Sequence, residues 1–120
     1  MEKTVLIVED EFLIAMDLQI LLETSGWRVM GPAPTVRDAL RLLEKERPAV
    51  ALLDVNLGNE LVTEVAEDLR QRSVPFAVAS AYERPDLVGG DVLAGAPNVG
   101  KPTTATRLLP VLTRLAGLSS

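Results

Sequence analysis

A chain of 120 residues is long enough for one domain with a real core and too short for two. It is 48% hydrophobic and 24% charged, as globular proteins are, and its net charge of −5 argues against nucleic acid as a direct partner, which needs a basic footprint. The absence of cysteine and histidine excludes disulfides, thiol nucleophiles, Ser-His catalysis and imidazole or thiolate metal sites, so any metal must be held by oxygens, as a hard cation such as Mg2+ is.

Met1-Glu2-Lys3-Thr4 leads into Val5-Leu6-Ile7-Val8, a run too short for a signal peptide. No apolar run approaches the roughly 20 residues of a membrane span, so a cytoplasmic protein is expected. Val5–Val8 instead reads as a buried strand stopping at Glu9-Asp10-Glu11. Phe12 to Ser25 is helix-forming, with Leu13, Met16, Ile20 and Leu21 assigned to one face, and Gly26 is its stop. Trp27-Arg28-Val29-Met30 alternates as a short edge strand ending at Gly31-Pro32. Thr35-x-x-Asp38 resembles a capping box, and Val36, Ala39, Leu40 and Leu43 fall at helical spacing behind it until Pro48.

Ala49-Val50-Ala51-Leu52-Leu53 is an unbroken apolar run that ends in Asp54. It suits a strand buried on both faces, whose last side chain is delivered to the edge of a sheet. A turn through Asn59 precedes a predicted helix over Glu60–Arg72, with Val62, Val65, Ala66 and Leu69 on one face. Phe76-Ala77-Val78-Ala79 is a fourth buried strand, ending at Ser80. Between Arg84 and Pro97, Gly89, Gly90 and Gly95 leave only a short helix, since each helical glycine costs up to about 1 kcal/mol. A brief strand near Asn98-Val99 leads to Lys101-Pro102, and a last helix from about Thr104 carries Ala105, Leu108, Leu109, Leu112 and Leu115, with Pro110 inside it removing one backbone hydrogen bond, so that a kink or a late start is expected.

Five strands alternating with five helices predict right-handed βαβ units and an α/β fold with one parallel sheet. In a doubly wound sheet of order 2-1-3-4-5, the C-terminal strand ends share one edge, and strands 1 and 3 meet where the winding reverses. Glu9, Asp10 and Asp54 then crowd one pocket, with Ser80 and Lys101 nearby. Two such charges about 4 Å apart repel by roughly 4 kcal/mol at an effective dielectric near 20, so the cluster calls for a cation. Mg2+ held by carboxylates, a backbone carbonyl and water fits. Taken singly, each residue has a bland alternative: acids at a helix N-terminus, an aspartate in a turn, a small residue at a strand end, a solvated lysine.

Over essentially its whole length the chain resembles a response-regulator receiver domain, the phospho-acceptor module of two-component and phosphorelay signalling. The resemblance rests on Val5–Glu11, Leu52–Leu57, Val78–Ala81 and Lys101-Pro102. It implies a flavodoxin-like fold, and a phosphoprotein in which Asp54 accepts a phosphoryl group from the histidine of a partner kinase or phosphotransfer protein. It implies Mg2+ on Asp10, Asp54 and the backbone carbonyl of Asn56, with Glu9 acting through water. Ser80 would hydrogen-bond the phosphoryl oxygens, Lys101 would pair with them, and the Lys101–Pro102 bond would be cis.

Two departures stand out. Receivers usually carry Tyr or Phe three residues before the lysine as a rotamer switch, and here that position is Asn98. The stretch Pro75–Tyr82 instead resembles a bacterial subgroup with Phe-Ala-Thr-Gly-Tyr after the fourth strand, so Tyr82 either supplies the missing switch aromatic or merely packs the loop. The expectation is a stand-alone receiver over 1–120 with no output domain, not an enzyme beyond self-phosphotransfer and self-dephosphorylation. Its readout is a protein contact through the helix 4–strand 5–helix 5 face, with homodimerisation open. The rivals are a degenerate receiver used for docking or dimerisation and a small Mg2+-dependent phosphatase with an aspartate nucleophile.

Overall fold

In the computed structural model, which describes residues 3–82 and 84–118, the strands are β1 (Thr4–Val8), β2 (Arg28–Ala33), β3 (Val50–Asp54), β4 (Asn56–Leu57), β5 (Glu60–Leu61) and β6 (Phe76–Ala79). The helices are α1 (Phe12–Thr24), α2 (Val36–Lys45), α3 (Thr63–Gln71), α4 (Asp86–Gly89) and α5 (Ala105–Leu115), with a 3-10 turn at Asp91–Leu93. Met1 and Glu2, part of the stretch read against a signal peptide, lie outside the described residues.

The main sheet is parallel, in the order β2-β1-β3-β6. The expected fifth strand occupies its place beside β6 but is reduced to one parallel bridge, Val78 to Asn98. Val78 N–H donates to Pro97 O and Val99 N–H to Val78 O, both at 2.8 Å. Pro97 has no N–H to donate, and Gly100 at φ 82° turns the chain away, so the ladder extends no further.

Alternation along the strands builds two cores. Val5, Ile7, Val50, Leu52, Ala77 and Ala79 pack with Leu18 and Leu22 of α1 and Leu108 and Leu112 of α5. Leu6, Val8, Ala51, Leu53 and Val78 pack on the other face with Ala39 and Leu43 of α2 and Val65 and Leu69 of α3. Helices therefore cover both faces of a doubly wound sheet. Among the described residues, no helix is long and apolar enough to cross a membrane.

Three element assignments are corrected. The inward face of α1 is Ala15, Leu18 and Leu22, while Leu13 is 68% and Ile20 56% exposed, with Phe12 and Met16 also outward. The apolar residues of α1 run almost all round the helix, so spacing alone could not select the face that meets the sheet. β2 runs on to Ala33 through Gly31-Pro32, with a register shift against β1, which its edge position tolerates. The helix predicted from Glu60 starts at Thr63, because Asn56–Leu61 folds into the small antiparallel β4–β5 hairpin.

Other local signals hold. Thr35 Oγ1 accepts the Asp38 N–H at 3.1 Å as the cap of α2. α5 starts at Ala105 and continues through Pro110, so the late start that the proline allowed for does not occur, and Leu108 and Leu112 are fully buried. Truncating Leu22, which is fully buried, should cost about 2–5 kcal/mol in urea denaturation. Leu13→Ala should cost less than about 1 kcal/mol, and equal losses would overturn the corrected face.

Candidate functional site

Parallel pairing of β1 with β3 sets Val8 opposite Leu53, so the residues that follow, Glu9 and Asp54, are brought side by side at the sheet edge. Glu9 is anchored twice: its N–H donates to Ala33 O at 3.0 Å, and its Oε2 accepts the Glu11 N–H at 3.1 Å. Glu9, Asp10 and Asp54 each present a carboxylate oxygen within 4.8 Å of the others. Glu9 and Asp54 are buried, while Asp10 is exposed at the mouth.

Lys101 reaches in from the turn after Val99, on a cis Lys101–Pro102 peptide. Its Nζ stands 3.2 Å from Asp54 Oδ1 and 3.6 Å from Glu9 Oε1. Ser80 follows β6, whose Ala79 is in register with Asp54. The resulting cleft, about 340 Å3, is lined by Asp10, Asp54, Asn56, Ser80, Tyr82 and Lys101. Of the residues singled out in the sequence for this site, all but Glu9 line this cleft, and Glu9 is joined to it through Lys101, Asp10 and Asp54. The clustered ligand atoms are carboxylate oxygens of Glu9, Asp10 and Asp54, which suit a hard cation.

The loop after β6 is held by side chains. Ser80 Oγ accepts the Tyr82 N–H at 3.0 Å, and the Tyr82 hydroxyl meets Asn56 Nδ2 at 3.1 Å. Tyr82 is 45% exposed, lying over the mouth of the cleft rather than in the core. Asn98 Oδ1 accepts from Ser80 N–H at 3.1 Å and Gly100 N–H at 2.9 Å, and its Nδ2 donates to Tyr82 O at 3.0 Å. Sequence reasoning saw Asn98 only as a missing aromatic. Its amide, able to accept and donate at once, was the signal available.

The charges are strongly coupled. Burial pushes the Glu9 carboxyl up to about 7, and the Asp54 charge adds to this against the opposing Glu11 N–H and Lys101. Burial likewise raises Asp54, held back by the Lys101 ammonium. For Lys101, burial opposes the charge, but Asp54 and Glu9 outweigh it and raise its pKa. A carboxyl raised in the folded state binds protons that the unfolded chain has released, so stability falls as pH rises from about 4.5 to about 7. In EDTA, urea denaturation at pH 5 and pH 7.5 should show a decline of up to about 3 kcal/mol. Glu9→Gln should flatten that slope, and an unchanged slope would refute the assignment to Glu9.

Comparison with known proteins agrees with this geometry. The family model described as response regulator receiver domain matches residues 5–112. The transcriptional regulatory protein PdtaR of Mycobacterium tuberculosis is 33% identical over 115 residues, covering 92% of this chain and 55% of its own length. The receiver domain of the PhyR response regulator from Erythrobacter litoralis, solved by NMR, is 28% identical with a TM-score of 0.82, covering 99% of this chain and 93% of its own. The receiver domain of the Pseudomonas aeruginosa sensor histidine kinase PA1611, solved with a magnesium ion coordinated in its active site cleft, has the same fold at 24% identity and a TM-score of 0.82, covering 98% of this chain and 99% of its own. The chain spans about half or less of the length of the first curated relatives that it matches. Receivers are signalling proteins rather than classical enzymes. With a doubly wound parallel sheet, three carboxylates and a lysine meeting at its edge, and the family match over nearly all its length, this chain belongs to the response regulator receiver domain family of two-component signalling.

Proposed function

We propose that Asp54 is the phospho-acceptor of this receiver and takes its phosphoryl group from a histidine of a partner kinase or phosphotransfer protein. The observation that carries this reading is the convergence of Asp54 with Glu9, Asp10 and Lys101 at one sheet edge. In the transfer, an Asp54 carboxylate oxygen attacks phosphorus, the P–N bond breaks, and the imidazole leaves with the bonding electron pair. Such transfer depends mainly on positioning and charge neutralisation, which this set of groups can supply.

Asp10, Asp54 and the Asn56 carbonyl would hold Mg2+ directly, with Glu9 acting through water. Val62 N–H donates to Val55 O at 3.1 Å, and alternation in the antiparallel hairpin then turns the Asn56 carbonyl away from Leu61, free to serve as a ligand. Bound there, Mg2+ would neutralise charge on the phosphoryl oxygens. Lys101, now paired with Asp54, is within reach of the same oxygens. The Ser80 hydroxyl, which accepts from Tyr82 N–H, keeps its own hydrogen to donate to them.

The histidine must approach over the cleft mouth, and the exposed apolar face of α1 starts there. Phe12 and Met16, with Pro32 and Pro34, line a second hollow of about 270 Å3 that also touches Glu9 and Asp10. Phe12, Leu13 and Ile20, more than half exposed, continue the face along the helix. This surface fits the histidine-bearing partner, since docking on it delivers the donor to Asp54. Readout would use α4, the Val99 segment and α5, residues other than those of the exposed α1 face.

Incubation with acetyl phosphate and Mg2+ should give a base-labile phosphoryl on the wild type and none on Asp54→Ala; equal labelling of the variant would overturn the reading. Leu13→Glu should leave acetyl phosphate labelling unchanged. It should slow transfer from the phosphorylated histidine partner roughly tenfold, as loss of an interface residue worth more than about 1 kcal/mol would. Equal slowing in both assays would show that Leu13 acts on the site and not on docking.

A further inference from the structure

Asn98 ties together the two segments that bring Ser80 and Lys101 to the cleft. Its Oδ1 takes both the Ser80 N–H at 3.1 Å and the Gly100 N–H at 2.9 Å, and its Nδ2 gives a hydrogen bond to Tyr82 O at 3.0 Å. The two N–H donors on one side and the carbonyl on the other fix which way the amide points. Backbone pairing of Pro97 and Val99 with Val78 holds the residue in place independently of its side chain. Gly100 donates its N–H to Asn98 and then, at φ 82°, turns the chain into Lys101, so the Asn98 amide is bonded directly to the start of the Lys101 turn.

The chain of contacts continues to the acceptor. Ser80 Oγ is fixed by the Tyr82 N–H, and the Tyr82 hydroxyl bonds to Asn56, two residues after Asp54. A phenylalanine at position 98 could neither accept the two N–H groups nor donate to the carbonyl, and a tyrosine would carry its one hydroxyl at the far end of the ring instead of beside the backbone. The loop is therefore held over the cleft in the unphosphorylated chain by an amide clamp.

We propose that Asn98 is a positioning residue for phosphorylation of Asp54: it sets the Ser80 hydroxyl in place, through the Ser80 backbone, before a phosphoryl group arrives. This rests on the reading of Asp54 as acceptor. If Asn98 merely tidied the loop, its removal would act on stability, and its effect on the reaction would not depend on Ser80.

The test compares acetyl phosphate labelling rates with Mg2+ for wild type, Asn98→Ala, Ser80→Ala and the double variant, alongside amide exchange at Ser80. Asn98→Ala and Ser80→Ala should each slow labelling roughly tenfold, since small misplacements of reacting groups cost up to about 100-fold. The double variant should be no slower than Ser80→Ala. Exchange of the Ser80 N–H should accelerate in Asn98→Ala and stay slow in Asn98→Asp, which is of the same size and keeps both accepted bonds. Multiplying effects in the double variant, or unchanged Ser80 exchange in Asn98→Ala, would overturn the proposal. If the wild type itself takes no label, the reading of Asp54 fails instead, and the exchange data still decide whether the clamp exists.

Discussion

The arrangement depends on one electrostatic constraint: carboxylates from Glu9, Asp10 and Asp54 held within 4.8 Å of one another, two of them buried. At that separation each like-charged pair repels by about 3 kcal/mol at an effective dielectric near 20. Nothing local to Glu9-Asp10 or to Asp54 would bring them together. The parallel β1–β3 pairing does so, because both strands are buried on each face by two separate cores and cannot slip in register without exposing them. Apolar packing thus holds the charges in place. The Lys101 ammonium, 3.2 Å from Asp54 and 3.6 Å from Glu9, offsets part of the repulsion, and burial raises the Glu9 carboxyl.

Around this centre, the irregular parts of the fold become intelligible. The strand opposite β6 is shortened to a bridge, and its role in organising the edge passes to the Asn98 side chain. The hairpin after Asp54 lies against the cleft: Gly58, at φ 61°, is so placed that an added Cβ would come 3.7 Å from Asp10 Oδ2. At the far end of the same loop system, a Cβ on Gly89 would lie 3.0 Å from Val55 Cγ1 and 2.6 Å from Leu93 Cδ1. The residue next to Asp54 is therefore packed directly on α4. Thr63 Oγ1, at the start of α3, hydrogen-bonds Gly89 O from the other side. The residue that follows Asp54 is thus in close packing with α4, with no room between them for an added methyl group.

α1 shows where one-dimensional reading reaches its limit. Its residues are apolar on nearly every side, so helical spacing is satisfied by more than one face. The sheet selects Ala15, Leu18 and Leu22, and leaves Leu13 and Ile20 to solvent. Where polar residues interrupt the pattern, as in α2 with Thr35 and Asp38, spacing and burial coincide. The glycine-bearing stretch from Arg84 onward was legible only as poor helix, and it forms four helical residues and a 3-10 turn.

The sequence by itself determined the parallel α/β sheet and where its three central strands end. Those features follow from unbroken apolar runs stopping at Glu9, Asp54 and Ser80, and from helix signals between them, all of which are local in the chain. Tertiary structure alone decided that Lys101 lies 3.2 Å from Asp54, which face of α1 is free, and that Asn98 joins Ser80 to Gly100. The reason is geometric: these contacts link segments separated by up to dozens of residues, and their distances are set by strand register and by the turn after the last bridge. Neither is encoded in the spacing of residues along one element.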